Sequence, residues 1–256
     1  MSIVYKDRGA DYYLEIAKGN IPKHSLFVIR GHSPDIDSAE EDVAESGNLT
    51  YLTSAERMNI ASTSTDDIAD GDGVTAIKIE GVYNDGAKIS ESVVMDGTDN
   101  VLTNQSYLRV NQMVALTAGD TGWNAGIITA TAQTAGTVQC QMNATESISQ
   151  NSHYTVPLNH TFYIVQAEFN AAKTSTGGNL PVVEFKVYAR RGGAGAAWVQ
   201  FFDKRFDTAV TDELDVFLPF PANQPTSRTD LRVRALTDKD NTEVRVRMYG
   251  ILVDNS

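Results

Sequence analysis

One cysteine, Cys140, occurs in the 256 residues. A lone thiol excludes an intramolecular disulfide framework and any cysteine-based zinc site, and it suits synthesis in a reducing cytoplasm. Matches to the N-glycosylation pattern at Asn143 and Asn159 are therefore read as accidental. No apolar run approaches the roughly 18 residues that span a bilayer, so no membrane partner is expected. The opening "MSIVYKDRGADYYLEIAKG" has charges every few residues and no apolar core, so no signal peptide is expected. Positive charge is short: 21 Lys and Arg stand against 33 Asp and Glu, for a net charge of −12. That balance repels a phosphate backbone, so nucleic acid is not an expected partner.

Catalytic signatures are missing too. There is no P-loop, no G-x-G-x-x-G turn and no G-x-S-x-G elbow. The glycine-rich "RRGGAGAAW" lies between two strands, whereas a phosphate cradle must open a helix. His24, His32, His153 and His160 lack the i, i+4 spacing of a helical zinc site. His153 and His160 flank Pro157 and read as hydrogen-bonding groups at a strand edge. Cys140 alternates with Val138 and Met142 and reads as a packed thiol. Nothing marks out two of the many carboxylates as an acid–base pair. No enzymatic activity and no cofactor are expected.

What is present is an apolar fraction of 41%, enough for a globular core. The negative excess is concentrated: residues 1–100 carry 19 acidic and 8 basic side chains, 101–148 carry 2 and 1, and 149–256 carry 12 and 12. Residues 1–48 read as an N-terminal arm or anchor. Within them "DYYLEIAKGN" suits a short helix or strand and "SLFVIRG" a strand. The acidic tract Pro34–Ser46 has few apolar anchors and reads as exposed, either a connector or an arm that docks on another subunit.

From residue 49 the chain becomes a series of short strands with turn signals every 8–12 residues. "VTAIKIEGV" (Val74–Val82) and "AKISESVVM" flank an Asp-Gly turn and read as a hairpin. In "SYLRVNQMVALTA" (Ser106–Ala118), Leu108, Val110, Val114 and Leu116 share one face at period two. "GIITATAQ" and "GTVQCQM" complete a middle β-sandwich spanning 49–146. Beyond it, "HYTVPLNHTFYIVQAEFNAA" alternates through Tyr163, Val165, Ala167 and Phe169. "LPVVEFKVYAR" places Val183, Phe185 and Val187 on one face. "AWVQFFDKRF", "ELDVFLPF", "LRVRAL" and "EVRVRMYGILV" follow. The expected fold is all-β: the arm, then two stacked β-sandwich domains, the second, 147–256, of jelly-roll type.

The segment "DDIADGDG" holds four aspartates and two glycines. An EF-hand loop needs acids at positions 1, 3 and 5, glycine at 6 and glutamate at 12. With Gly71 at position 6, positions 3 and 12 are Ile68 and Ile77. With Gly73 there, positions 1 and 12 are Ile68 and Ile79. Both registers fail at the bidentate ligand, so Asp66–Asp72 reads as an acidic turn launching a strand. A looser calcium site shared with Asp96–Asp99 stays open.

Arg232 and Arg234 share a face of one strand, and Arg245 and Arg247 a face of the next. The connection Thr237–Thr242 suggests that these strands pair as a hairpin. Leu231, Val233, Val244 and Val246 then face the core and the arginines point outward. Like charges opposite one another destabilise a sheet. Two readings follow: solvation by water and acidic neighbours, or an inter-subunit contact with an acidic surface. Asp35, Asp37, Glu40, Glu41 and Asp42 of the arm would supply that surface, since the arginine fork pairs carboxylates two-pronged.

Several stretches together resemble structural proteins of tailed-bacteriophage virions. They are "GNIPKHS" (Gly19–Ser25), "PDID" (Pro34–Asp37), "STDDIADGDGVTAIKIEGV", "SYLRVNQMVALTAG", "NAGIITATA", "YTVPLNHTFYI" and the closing "GILVDN". The chain departs from that pattern at "VIRGHS", where a basic "KFGRN" is usual. The resemblance covers most of the chain and implies a capsid-decoration, head-fibre, tail or baseplate component of stacked β domains. It implies location in the virion, other virion proteins as partners and no catalytic residues. A symmetric homo-oligomer, such as a trimer, fits that reading. A second reading is a receptor-binding module taking host-surface glycans near Trp198 or Trp123. A third is an enzyme acting on host polysaccharide.

Overall fold

A computed structural model describes residues 12–174, 180–192, 195–210, 213–217 and 225–256. The first 11 residues of the expected arm, part of "RRGGAGAAW" and the end of "ELDVFLPF" lie outside the described residues. One short helix, α1 (Tyr12–Ala17), precedes the strands β1 (His24–Ile36) and β2 (Glu41–Asp42). The middle region holds β3 (Glu56–Ser62), β4 (Val74–Val82), β5 (Lys88–Val94), β6 (Val101–Tyr107), β7 (Arg109–Ala118), β8 (Ile128–Ala132) and β9 (Val138–Met142). The last region holds β10 (Tyr154–Thr155), β11 (His160–Lys173), β12 (Val182–Arg191), β13 (Val199–Asp207), β14 (Glu213–Phe217), β15 (Thr229–Thr237) and β16 (Thr242–Asp254). The fold is all-β, as expected.

The middle sandwich packs the sheet β6-β3-β8-β9 against β5-β4-β7. Alternation in β4 puts Ile77 and Ile79 wholly inside, beside Met58, Ile60, Met113 and Ile128. The hairpin β4–β5 forms at the Asp-Gly turn, with Gly86 at φ 85° and the Asp85 carboxylate accepting from Ala87 N at 2.8 Å. Cys140 is fully buried, as its alternation indicates, and burial pushes its thiol up to about 12.

The stretch Ser106–Ala118 departs from the single strand expected. The chain leaves one sheet at Tyr107 and enters the other at Arg109, so Leu108 sits at a corner. Opposite β4 the register slips between Glu80 and Gly81, leaving Asn111 as an extra residue. The bulge shifts the buried face to Val110 and Met113 and leaves Leu116 at 48% exposure. A second bulge near Val165 does the same in β11: Phe162 and Ile164 point inward before it, Ala167 and Phe169 after it.

The second sandwich pairs its sheets as β1-β16-β11-β14 and β10-β15-β12-β13, with β2 added alongside β15. Taking β1 as first and β16 as last of eight, the antiparallel pairing is nested. First joins last (β1–β16), second joins seventh (β10–β15), third joins sixth (β11–β14) and fourth joins fifth (β12–β13). The middle sandwich is thus an insertion between the first and second strands. Ile29, Ile36 and Val43, from the segment expected to be an arm, lie in this second core with Phe169, Phe185 and Val246. Pro34–Ser46 is not a wholly exposed tract, because Ile36, Asp42, Val43 and Ala44 are all buried.

The expected hairpin between the two arginine strands does not form. β15 pairs with β12, β10 and β2, whereas β16 pairs with β1 and β11 in the facing sheet. Leu231 and Val233 meet Val244 and Val246 across the core, which turns the two arginine pairs onto opposite outer surfaces. The like-charge clash of a hairpin is thereby avoided.

Candidate functional site at the junction of the sandwiches

The two sandwiches meet along β7 and β10. The bulged Asn111 brackets the facing backbone: its Nδ2 donates to Thr155 O at 2.9 Å, and Thr155 N donates to its Oδ1 at 2.8 Å. At the tip of the β4–β5 hairpin, Leu158 N donates to Gly86 O at 2.7 Å. Beside these contacts lies a buried layer of arginines, rings and carboxylates.

Asp230, buried on β15, is its centre. It accepts from Arg190 Nη2 at 2.6 Å, Arg190 Nε at 3.1 Å and Thr155 Oγ1 at 2.6 Å, with Arg109 Nη2 at 3.5 Å. Arg109 also donates to Leu52 O and Leu108 O, at 2.8 and 2.6 Å. The Arg190 guanidinium lies 4.4 Å from the ring centroids of both Tyr51 and Trp198, and Arg232 lies 4.1 Å from that of Trp198. A weakly hydrated planar cation suits such a ring-lined layer better than an ammonium does.

Next to it runs a chain from Tyr51 through His153 to Asp42. The Tyr51 hydroxyl is 2.9 Å from His153 Nδ1, and His153 Nε2 is 3.5 Å from Asp42 Oδ2. Burial holds the imidazole down at about 4, against the pull of Asp42, so it is neutral at pH 7. Burial also pushes the Tyr51 phenol well up, with Asp42 and Asp230 adding to it, so Tyr51 keeps its proton and donates. The imidazole proton is then on Nε2, facing Asp42, an assignment made from the partners.

Of the residues expected to mediate contacts, the structure unites four within one chain. Glu40 takes Arg234 Nη1 at 2.9 Å, Lys186 Nζ at 3.0 Å and the Tyr188 hydroxyl at 3.0 Å. Asp42 faces Arg234 Nε at 3.2 Å and Arg232 Nη1 at 3.9 Å, and it accepts from Leu49 N at 3.0 Å. Burial alone would raise the Glu40 carboxyl. The bonds from Lys186 and Tyr188 and the charge of Arg234 outweigh it and hold the carboxyl below its usual range. Glu41 lies in register with Ala235, and burial, then Asp37 and Asp35, push its carboxyl up. Asp35 and Asp37 are exposed. Arg245 and Arg247 lie apart from the junction, on the outside of the other sheet, near Glu243 at 2.9 Å and Glu168 at 4.0 Å.

Sequence reasoning missed Arg109, Arg190, Asp230 and Tyr51, and it placed His153 at a strand edge rather than in the buried layer. One signal was available: Arg109 is the single cation in residues 101–148. The acidic turn is also clearer. Asp67 is wholly buried and accepts from Ser62 Oγ (2.6 Å), Val74 N (2.8 Å), Ala125 N (2.8 Å) and Gly126 N (2.9 Å), which ties two loops together. Asp66, Asp70 and Asp72 are exposed. Among the described residues, no helix is long and apolar enough to cross a membrane.

No protein-family model and no curated protein sequence matches the chain. Among solved structures, it aligns with that of the infectious bursal disease virus Gx strain at 10% identity and a TM-score of 0.22, over 91% of this chain and 73% of that one. It aligns with the VP2 subviral particle of infectious bursal disease virus at 11% identity and a TM-score of 0.23, over 91% and 73%. At such TM-scores the two chain paths do not superpose, and neither likeness carries an argument.

Proposed function

We propose that this chain is a non-enzymatic structural component of a virion, built on a jelly roll and working as a symmetric homo-oligomer. The nested pairing of β1–β16, β10–β15, β11–β14 and β12–β13 carries the reading. Eight antiparallel strands closed in that order make the two-sheet roll found in viral shells and lectins. A fold alone does not define a function, and the junction adds the second support. Its charged groups are engaged with one another: Asp230 with Arg190 and Arg109, Glu40 with Arg234 and Lys186. Of these only Arg109 comes from the middle sandwich, and its pairing with Asp230, beside the Asn111–Thr155 bonds, ties the two sandwiches together, which suits a building part better than a reaction centre.

The sequence resemblance to tailed-phage structural proteins supports a tailed-phage particle in this proposal, with the chain on the capsid surface or on the tail or baseplate. Trimeric assembly and contact with other virion proteins belong to the same proposal. Exposed Arg245 and Arg247, on one outer sheet, and exposed Asp35 and Asp37, beside Glu41 at the edge of β2, are the complementary surfaces we assign to subunit contacts. Native mass spectrometry of the purified chain tests this, and cryo-EM of the intact particle gives its position. We expect a closed oligomer that falls to monomers when Arg245 and Arg247 are both replaced by Gln, with the circular dichroism of the wild type retained. A wild-type chain that stays monomeric at high concentration and is absent from particles refutes the proposal.

A further inference from the structure

A neutral imidazole has one donor and one acceptor nitrogen, whereas a carboxylate only accepts. His32, on β1, faces carboxylates with both nitrogens: Nδ1 is 3.3 Å from Glu45 Oε1 and Nε2 is 3.2 Å from Glu243 Oε1. The residue is only 7% exposed, and its Nε2 makes no hydrogen bond. With carboxylates facing both nitrogens, the group balances only with added positive charge, supplied either by a second ring proton or by a cation between a nitrogen and its carboxylate. A third carboxylate closes the group. A His32 nitrogen, a Glu45 oxygen and a Glu146 oxygen all lie within 4.8 Å of one another.

We infer that His32, Glu45 and Glu146 form a divalent-cation site that staples the two sandwiches, with Glu243 orienting the imidazole from behind. The spacing suits a small metal. Donors held at about 2.1 Å in a tetrahedron stand about 3.4 Å apart, close to the 3.3 Å between His32 Nδ1 and Glu45 Oε1. One imidazole with two carboxylates selects a zinc-like transition metal over calcium, which prefers an all-oxygen shell. Glu243 at Nε2 supplies the outer carboxylate that ligating histidines commonly carry.

The ligands come from three separate places. His32 is on the first strand of the roll, Glu45 follows β2, and Glu146 belongs to the chain returning from the middle sandwich. The Glu45 side chain is wholly buried, and Glu146 is partly open to solvent, which gives an ion a way in. A bound cation would neutralise the two glutamates and hold the return segment against β1.

The test uses the full chain, stripped with EDTA and then titrated with Zn2+, Ca2+ or Mg2+ alone. At about a hundred-fold excess over its dissociation constant, Zn2+ should raise the melting temperature by roughly 5 °C or more. Calcium and magnesium should shift it far less. The His32→Gln and Glu146→Gln variants should each lose the zinc response while keeping wild-type circular dichroism. Glu146 is partly exposed, so its variant guards against a mere folding failure. The Glu243→Gln variant should still bind, with affinity lowered about 10- to 100-fold. No zinc shift at millimolar ion, an equal shift in the Glu146→Gln variant, or a larger shift with calcium than with zinc overturns the assignment.

Discussion

Acidification should weaken this protein through His153, and the size of the effect follows from its burial. The imidazole is pushed down to about 4 by desolvation, against an ordinary value of 6.5. A base with a lowered folded pKa binds its proton first in the unfolded chain. Stability is therefore complete above 6.5, falls as the pH drops below 6.5, and levels off below about 4. The full span corresponds to about 3 kcal/mol, and between pH 7 and about pH 4.5 the loss is about 2 kcal/mol. Urea denaturation at both pH values, on the wild type and the His153→Gln variant, isolates the effect, because other titrating groups are common to both. Glu40 loses stability in the same direction as carboxylates protonate, and Glu45, whose carboxyl is pushed up by burial, works the opposite way. The variant should lose about 2 kcal/mol less than the wild type over that interval. Equal acid losses in the two proteins, or an NMR titration of the His153 ring centred near 6.5, would refute the reasoning.

Three further outcomes are expected. Asp230→Ala leaves the buried Arg109 and Arg190 without their shared carboxylate, and urea unfolding should register a loss of about 3–5 kcal/mol. Gly31→Ala would set a Cβ 2.4 Å from Val43 O and 2.5 Å from Ser152 Cβ, where backbone segments converge, so it should cost about 3 kcal/mol or more in the same assay. Gly86→Ala meets a left-handed φ of 85° and, at 2.7 Å, the movable Cγ of Arg228. It should cost only about 1–2 kcal/mol, seen as a melting temperature lower by a few degrees. A Gly86→Ala loss as large as that of Gly31→Ala would count against the geometry at both positions.

The sequence by itself determined what depends on neighbours along the chain. Period-two alternation marks the strands, because successive side chains on an extended backbone must point to opposite faces. Val183, Phe185 and Val187 are buried as their spacing requires, and the Asp85-Gly86 turn makes its hairpin. The buried Cys140 and the strand-launching acidic turn were equally legible, since each rests on residues a few positions apart. The pull between acidic tract and arginines was legible as chemistry, though not as the contact of Glu40 and Asp42 with Arg234 inside one chain.

Only the tertiary structure decided which strand lies beside which. Strand pairing joins residues hundreds of positions apart, such as His24 with Val253, and no local pattern encodes the partner. Consecutive strands β15 and β16 look like a hairpin in sequence but part into facing sheets, because each offers one apolar face to a shared core. The bulges at Asn111 and near Val165 shift the buried face by one position, which alternation read straight through. The junction is invisible for the same reason. Tyr51, Arg109, His153, Arg190 and Asp230 are ordinary residues in sequence. They become a network only when the two sandwiches come together and exclude the water that would otherwise satisfy each of them.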